Sequence, residues 1–405
     1  MKKHLSPVTF HYMIITAGFW MAYCVSVAYA AVYLQYGGYT NLELGVILAV
    51  GNLGGAFLSP LFGAWIDRNR KIRHAAVVDV LLGLQVVLLV LLRLKPEKSL
   101  FCTIVYILYM AFAMPVNALN LDLCVRLEHA GADLNFGLAR SMGSFAFVIL
   151  STLLGILTER LSPLMLPWAG LAVILLQFVG NRLVDRDLRN AEAELPENSP
   201  ALAREKSSSL IAFIRENGSF CLMLFGTIII FVAHNIDCNF LINVVKNLGE
   251  GSAVMGYVAS FTAIVEVPVM MFANKLPKRF SRVQYIRASF VFFVLKLLAY
   301  ALAPNIPLLF AARILQAPSY ALYTVLIVGY ADEVVPRKDS AKAQSLAFSM
   351  TTIGAVIASL IGGRMYDTTS VRTTLLTAAA IALAGCVIAT LGTLKKPERK
   401  LPAAG

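Results

Sequence analysis

Six ionisable side chains lie within or beside long apolar stretches of this sequence, and they carry both signs of charge: Asp122, Arg140, Asp237, Glu266, Lys296 and Arg313. Lipid cannot solvate a charge, so such residues persist where they face water or one another. A carboxylate in such a place can exchange a proton, and a guanidinium can grip two oxygen atoms with its planar fork. The pattern therefore favours a polar binding or proton-transfer site inside a hydrophobic body.

The elements that must carry these residues are membrane-spanning helices. The chain is 58% hydrophobic and 14% charged, whereas a soluble domain is about 25% charged. A helix needs about 20 mostly apolar residues to cross a bilayer, and continuous apolar runs argue against barrel strands. We therefore predict an all-α membrane protein with twelve spans, at residues 8–34, 41–66, 74–93, 99–125, 136–158, 163–183, 218–245, 252–275, 283–303, 305–334, 340–363 and 372–394.

The basic residues are distributed unevenly between the two sides. With the N-terminus placed in the cytoplasm, 25 of the 35 lysines and arginines fall on the cytoplasmic side, and three lie inside spans. This positive-inside pattern predicts that both termini are cytoplasmic, in a plasma membrane of the bacterial inner-membrane type. It also accounts for the net charge of +12 without a nucleic-acid partner. The first apolar stretch is too long for a signal peptide, so we expect a retained helix.

One polar stretch divides the spans six and six. Its end, Ser208–Glu216, fits either a short interfacial helix or a flexible linker. We expect an N-terminal six-helix bundle over 1–183, a cytoplasmic linker over 184–217, a C-terminal six-helix bundle over 218–394 and a cytoplasmic tail over 395–405. Two pseudo-symmetric bundles are a known transporter plan, and a monomer suffices for it.

The spacing of small residues indicates how some helices pack. Small residues four apart, Gly51 with Gly55 and then Gly354, Ala358 and Gly362, predict close helix contacts.

The six cysteines lie in spans without metal-ligand spacing, so we expect no metal site and no disulfide framework. The sequence shows no Ser-His-Asp set and no P-loop. We therefore expect no cofactor and no enzyme activity.

The loop after the second span carries a motif of glycine, acid and basic residues: Gly63, Asp67, Arg68, Arg70 and Lys71. It resembles the signature between helices 2 and 3 of the major facilitator superfamily, except that Asn69 stands where the family prefers glycine. The resemblance implies the major facilitator fold. It also implies that the charged residues of this loop stabilise one of the conformations in which the transporter opens to a single side of the membrane.

Two further segments resemble the sugar–proton symporter branch of that superfamily, the branch of lactose permease. They are Ser59–Asp67, and Phe136–Gly143 at the start of the fifth span. The resemblance implies that Asp122 and Arg140 grip sugar hydroxyls and that Glu266 links substrate to proton. The aromatic residue that stacks on the sugar matches Phe147, where the family prefers tryptophan. The helix 9 arginine matches Lys296, and the pair formed between helices 7 and 10 matches Asp237 and Arg313.

The tenth span departs from that branch. Its histidine and its acid match Gln316 and Ser319, and the helix 11 lysine with its acidic partner matches Thr351 and His234. Glutamine and serine do not titrate usefully. A proton that moves here cannot follow the permease's full relay.

The residues themselves leave alternatives open. Asp122 is four residues before Arg126, so it also fits a salt bridge at the membrane edge. Asp237 and Arg313 fit a structural pair, because a lone buried charge is costly. Glu266 with Lys296 fits either a proton carrier with its partner or a static ion pair. His234, one turn before Asp237, fits either a titrating switch or an ordinary hydrogen-bonded histidine.

Together these features predict a secondary active transporter. The favoured activity is proton-coupled uptake of a small polar solute, a sugar or a nucleoside-like polyol, by alternating access. Substrate contact is expected at Asp122, Arg140, Phe147 and Glu266, and proton coupling at Glu266, Lys296, His234, Asp237 and Arg313. The alternatives are a proton-driven efflux antiporter for amphipathic or aromatic compounds and an importer of aromatic acids. A membrane sensor that kept the fold is disfavoured because the sequence shows no sizeable soluble domain.

Overall fold

The computed structural model describes residues 6–69, 72–193, 209–272, 276–277 and 279–394. Within these ranges twelve helices are long and apolar enough to cross a membrane, so the predicted number of spans is confirmed. Many large apolar side chains along them are exposed, among them Phe57, Leu175 and Leu383. Lipid is the solvent that such surfaces require. The chain is a multi-pass, all-helical membrane protein.

The helices in chain order are α1 Pro7–Tyr23, α2 Ala30–Tyr36, α3 Asn41–Arg68, α4 His74–Leu94, α5 Leu100–His129, α6 Phe136–Arg160, α7 Leu166–Ala193, α8 Leu210–Glu216, α9 Gly218–Asn239, α10 Leu241–Asn247, α11 Ser252–Phe272, α12 Arg282–Leu302, α13 Ile306–Arg313, α14 Leu322–Val334, α15 Ser340–Thr368 and α16 Val371–Leu394. Two short π-helical segments interrupt spans, Cys24–Ala28 after α1 and Ala317–Ala321 before α14. The second contains Pro318, which has no backbone N–H to donate.

Helix starts follow from local side-chain chemistry. Thr40 and Glu43 form a capping box at the start of α3, and Ser281 and Gln284 form another at α12. In each box a hydroxyl accepts from a backbone N–H while the longer side chain accepts from the cap residue's own N–H. These bonds satisfy donors that the first helical turn would otherwise leave unpaired.

The chain folds into two compact units. Unit 1 contains the described residues up to 193 together with Asn239–Ile264 and Gly362–Asp367, and unit 2 contains the remaining described residues from 209 onward. The boundaries differ from the predicted bundles: α7 continues to Ala193, and segments of later helices pack within unit 1. The helix α8 lies where the sequence fitted either a short interfacial helix or a flexible linker.

Glycines allow close helix contacts where the sequence expected them. In unit 1 a Cβ on Gly51 would lie 2.9 Å from the Met110 Cβ, and one on Gly55 would lie 2.6 Å from the Met114 Cβ. In unit 2 a Cβ on Gly354 would lie 2.7 Å from the Phe231 Cβ. Each glycine therefore sets the spacing between its helix and a neighbour.

Two carboxylates in unit 1 accept hydrogen bonds from the starts of other helices. Asp367, near the end of α15, accepts from the backbone N–H of Asn41 at 3.0 Å and of Leu42 at 2.7 Å. Glu159, near the end of α6, accepts from the backbone N–H of Ala253 at 2.7 Å. Both acids satisfy orphan donors and meet the positive end of a helix dipole.

Substitution of Asp367 should weaken unit 1. We expect Asp367→Ala to cost about 1 kcal/mol, the usual effect of removing a helix cap, because two backbone donors of α3 lose their acceptor. Thermal unfolding in detergent measures the change. Glu97→Ala is the matched control, since Glu97 is exposed; equal melting temperatures for the two variants would contradict a capping role.

Candidate functional site

A cluster of polar side chains lies inside unit 2, on four different spans. The seventh span (α9) supplies two residues one turn apart, α11 and α12 supply one each, and the interrupted tenth span supplies two: His234, Asp237, Glu266, Lys296, Arg313 and Gln316. Arg313 is the last residue of α13, and Gln316 immediately precedes the π-helical segment. The regular α-helix of the tenth span is thus interrupted next to both residues.

Asp237 and Arg313 form a closed ion pair. Arg313 donates from Nη1 to Asp237 Oδ2 at 2.6 Å and from Nη2 to Oδ1 at 2.8 Å. Both residues are buried, with exposures of 1% for Asp237 and 2% for Arg313. The guanidinium carbon also lies 4.1 Å from the centroid of the Tyr300 ring. This two-bond geometry is the one that a structural pair needs, because it neutralises both charges.

Lys296 is fully buried, with 0% exposure. Its Nζ lies 2.9 Å from His234 Nδ1 and 2.7 Å from Gln316 Oε1. An ammonium has only donors, so a charged Lys296 donates to both atoms and requires an unprotonated Nδ1 on His234. The ammonium also lies 4.5 Å from the centroid of the Phe293 ring.

Gln316 connects Lys296 to Glu266. Its Oε1 accepts from Lys296, and its Nε2 donates to Glu266 Oε1 at 2.8 Å. Only this orientation of the amide offers an acceptor to the ammonium and a donor to the carboxylate. Gln316 is 4% exposed, while Glu266 is half-buried. The chain therefore runs from a buried cation to a partly accessible acid.

Aromatic rings enclose His234. Its ring centroid lies 5.1 Å from that of Tyr320, 5.6 Å from Phe293 and 5.8 Å from Phe231. The exposed Cys238 places its sulfur 3.6 Å from the His234 ring nitrogens. His234 is thus an acceptor for Lys296 in an apolar cage, and its predicted role as a switch stays a prediction.

Three of the predicted substrate contacts, Asp122, Arg140 and Phe147, lie in unit 1. Asp122 accepts from Arg126 Nε at 2.6 Å and lies 3.6 Å from His74 Nε2. The guanidinium of Arg140 lies over the Trp20 ring, with its carbon 4.3 Å from the ring centroid. Phe147 is half-buried on α6. Asp122 therefore makes the local helix pair that was the alternative reading of its position.

The loop motif lies at the end of α3. Gly63 and Arg68 are helical, and Arg68 is exposed. The side chain of Asp67 and residues Arg70 and Lys71 lie outside the described part of the chain. The role of this motif in stabilising one conformation stays a prediction.

Sequence reasoning missed two features. Gln316 was read only as the loss of a titrating group, since nothing in the sequence shows that its amide spans two charges. Asp79 was not among the residues singled out from the sequence, yet it accepts from Asn181 Nδ2 at 2.7 Å and Arg182 Nη2 at 2.5 Å. The adjacent Asn181 and Arg182 on α7 were the available signal.

Comparison with known proteins gives consistent results. The model of the MFS_1 like family matches residues 14–377. The maltose permease of Geobacillus stearothermophilus is 25% identical over 379 residues, covering 91% of this chain and 90% of that protein. A putative sugar efflux transporter of Deinococcus radiodurans is 30% identical over 146 residues, covering 36% of this chain and 37% of that protein.

Solved structures share the fold. The nucleoside transporter NupG superposes with a TM-score of 0.73 at 15% identity, covering 96% of this chain and all of that chain (100%). A POT family peptide transporter superposes with a TM-score of 0.71 at 11% identity, covering 98% of this chain and 99% of that chain.

Breaking the buried ion pair on one side should be far more harmful than replacing both partners. We expect Asp237→Leu alone to cost about 3–5 kcal/mol, because it leaves the Arg313 charge buried without its acid. Asp237→Leu combined with Arg313→Met should recover much of that loss. Thermal unfolding of the purified proteins measures both variants.

The half-buried pair Asp122 and Arg126 provides the control. There, Asp122→Leu should change stability by less than about 1 kcal/mol. If the double variant of Asp237 and Arg313 were no more stable than the single one, the pair would not be a closed structural unit.

Proposed function

The chain belongs to the MFS_1 like family and so is a membrane transporter of the major facilitator type rather than an enzyme, and from this premise we propose that it takes up a sugar together with a proton. The observation that carries the proposal is the chain of hydrogen bonds from Lys296 through Gln316 to Glu266. It joins a fully buried cation to an acid that is only half-buried. Such an arrangement suits a group that gains and loses a proton during each transport cycle.

Glu266 is the proton-carrying residue in this proposal. As a carboxylate it accepts a charge-assisted hydrogen bond from Gln316 and attracts the ammonium of Lys296. Protonation removes the negative charge, so the bond from Gln316 weakens by roughly half and the attraction to Lys296 disappears. Lys296 then keeps its hydrogen bonds to His234 and Gln316 Oε1 and its contact with the Phe293 ring. The change in charge thus alters the contacts among α9, α11, α12 and the tenth span.

Asp237 does not share this task. Both of its oxygens accept from the guanidinium of Arg313, and the pair is almost fully buried. Protonating Asp237 would break two charge-assisted bonds and leave Arg313 without its counter-charge. In this proposal Glu266, which accepts one hydrogen bond from the neutral amide of Gln316, is the less costly site for a proton.

A sugar is the substrate class that the relatives and the residues favour. The relative that aligns along 91% of this chain is a maltose permease. Arg140 offers a planar fork of donors that suits adjacent hydroxyl oxygens. A nucleoside shares such hydroxyls, whereas an aromatic acid would use its carboxylate against Arg140 or Lys296.

Proton movement on substrate addition tests the class of substrate, the direction and the ion together. Candidate sugars, beginning with maltose, are added to unbuffered, energy-depleted cells that contain the protein. Symport predicts that the medium becomes alkaline when the transported solute enters with protons. Nucleosides and aromatic acids are the comparison solutes. Acidification on addition of an amphipathic compound would instead indicate an antiporter, and a flat response to every sugar would overturn the sugar proposal.

The variant Glu266→Gln should separate transport from proton coupling. We expect it to lose accumulation driven by an imposed pH gradient in proteoliposomes, because its side chain cannot gain or lose a proton. Exchange of labelled substrate across the membrane at equal concentrations should persist. Glu97→Gln is the matched control, and it should accumulate substrate normally. Gradient-driven uptake by Glu266→Gln at the normal rate would exclude Glu266 as the proton carrier.

Gln316 should be required for coupling although it does not titrate. Gln316→Leu removes both the acceptor of Lys296 and the donor to Glu266 while keeping a similar volume. We expect a shift in the pH dependence of uptake with a smaller loss in equilibrium exchange. Gln316→Glu serves as the comparison, since it keeps an acceptor for Lys296 but repels Glu266. An unchanged pH profile in Gln316→Leu would show that the amide does not link the two residues.

A further inference from the structure

The first membrane helix contributes an aromatic ring to the surroundings of Arg140. The guanidinium carbon of Arg140 lies 4.3 Å from the centroid of the Trp20 ring. Both residues are half-buried and belong to unit 1. Tryptophan is the aromatic side chain that attracts a cation most strongly through its face.

A glycine on α6 makes room for that ring. Gly143 lies three residues after Arg140, so both are on one side of the helix, and Phe147 follows one turn later. A Cβ built on Gly143 would lie only 2.3 Å from Trp20 Cδ1 and 3.0 Å from Trp20 Nε1. Any side chain at position 143 would therefore push the indole away from its present place.

A contact between a cation and a ring face does not itself use the N–H donors of a guanidinium. The N–H donors of a guanidinium point outward in its own plane, whereas attraction to an aromatic ring acts through the ring's face. A ring can thus hold the cation without using its donors. Restricting the guanidinium in advance also lowers the entropic cost of binding two oxygen atoms.

We infer that Trp20, seated against Gly143, is a positioning residue that orients Arg140 for the adjacent oxygens of a hydroxylated substrate. The inference rests on the proposed function, in which Arg140 contacts the solute. The role of Trp20 differs from the one that the resemblance implies for Phe147, which is to stack on the sugar itself. Gly143, Trp20 and Arg140 then act as one assembly.

Graded substitution of Trp20 tests the assembly. Trp20→Tyr and Trp20→Phe keep a ring, and we expect modest increases in KM. Trp20→Leu removes the ring and should raise KM by roughly tenfold, the size of one partly buried cation–π contact. The maximal rate should change by less than about twofold, because the folded carrier and its proton carrier are intact. Trp65→Leu, at an exposed position, is the matched control and should leave KM unchanged.

A second pair of variants separates positioning from simple damage to the fold. Gly143→Ala should raise KM as Trp20→Leu does, because the new methyl group displaces the indole. Adding Trp20→Phe to Gly143→Ala should lower KM again, since the smaller ring fits beside a methyl group. A structural defect at position 143 would instead make the double variant worse than either single one.

Fluorescence gives a readout that does not depend on transport. The chain has three tryptophans, so replacing Trp65 and Trp168 by phenylalanine leaves Trp20 as the sole indole. Its emission should change when Arg140 is replaced by leucine, and again when the transported solute is added. Identical emission in all three states, with a normal KM in Trp20→Leu, would overturn the inference.

The positioning role of Trp20 and the proposed function are overturned by different results. If the alkalinisation assay identifies a sugar but Trp20→Leu binds it normally, the positioning role is wrong and the proposed function stands. If that assay responds to no sugar, the proposed function fails. In that case the KM series is run with whichever solute moves protons, and the rank order of the Trp20 variants decides the positioning role.

Discussion

The arrangement of unit 2 depends on one constraint, the complete burial of the Lys296 ammonium. A charge withdrawn from water needs acceptors and an opposite charge nearby, and a single missing partner costs several kcal/mol. Here the acceptors are His234 and Gln316, and the negative charge is reached through the amide of Gln316. The four helices that carry these groups must therefore meet at this point. The interruption of the tenth span places Gln316 where that meeting requires it.

The described cluster of unit 2 holds its buried charges in two ways. One is a direct ion pair, and the other is a link through a neutral amide. Arg313 and Asp237 use direct contact through two bonds, which neutralises both and fixes their geometry. Lys296 and Glu266 are joined by a neutral amide whose two ends have opposite hydrogen-bonding character. The first arrangement changes little unless one partner is removed. Under the proposed function, the second is the contact that changes when Glu266 gains or loses a proton.

Much of this structure can be predicted from the sequence alone. The features that cannot be predicted have a physical reason in common. The twelve spans could be predicted because a bilayer demands long apolar runs, and the partnership of Asp237 with Arg313 could be expected because isolated buried charges are costly. The roles of Gln316 and Trp20 could not be read in this way. The amide of Gln316 links Lys296 to Glu266, and the ring of Trp20 contacts Arg140, only because distant segments of the chain meet in the fold. Apart from the glycine itself, nothing in the sequence around Gly143 shows that the Trp20 ring packs against this position.

If the proposed proton coupling holds, the residues that depart from the sugar–proton symporter branch leave this chain with a simpler relay. Where that branch has a titrating side chain on the tenth span, this chain has Gln316, which can transmit a change in charge but cannot hold a proton. Asp237 is committed to Arg313, and His234 must keep Nδ1 unprotonated to accept from a charged Lys296. Within the described cluster the proton is therefore assigned most economically to Glu266. In the proposed function, the amide of Gln316 would pass the charge state of Glu266 to the buried Lys296.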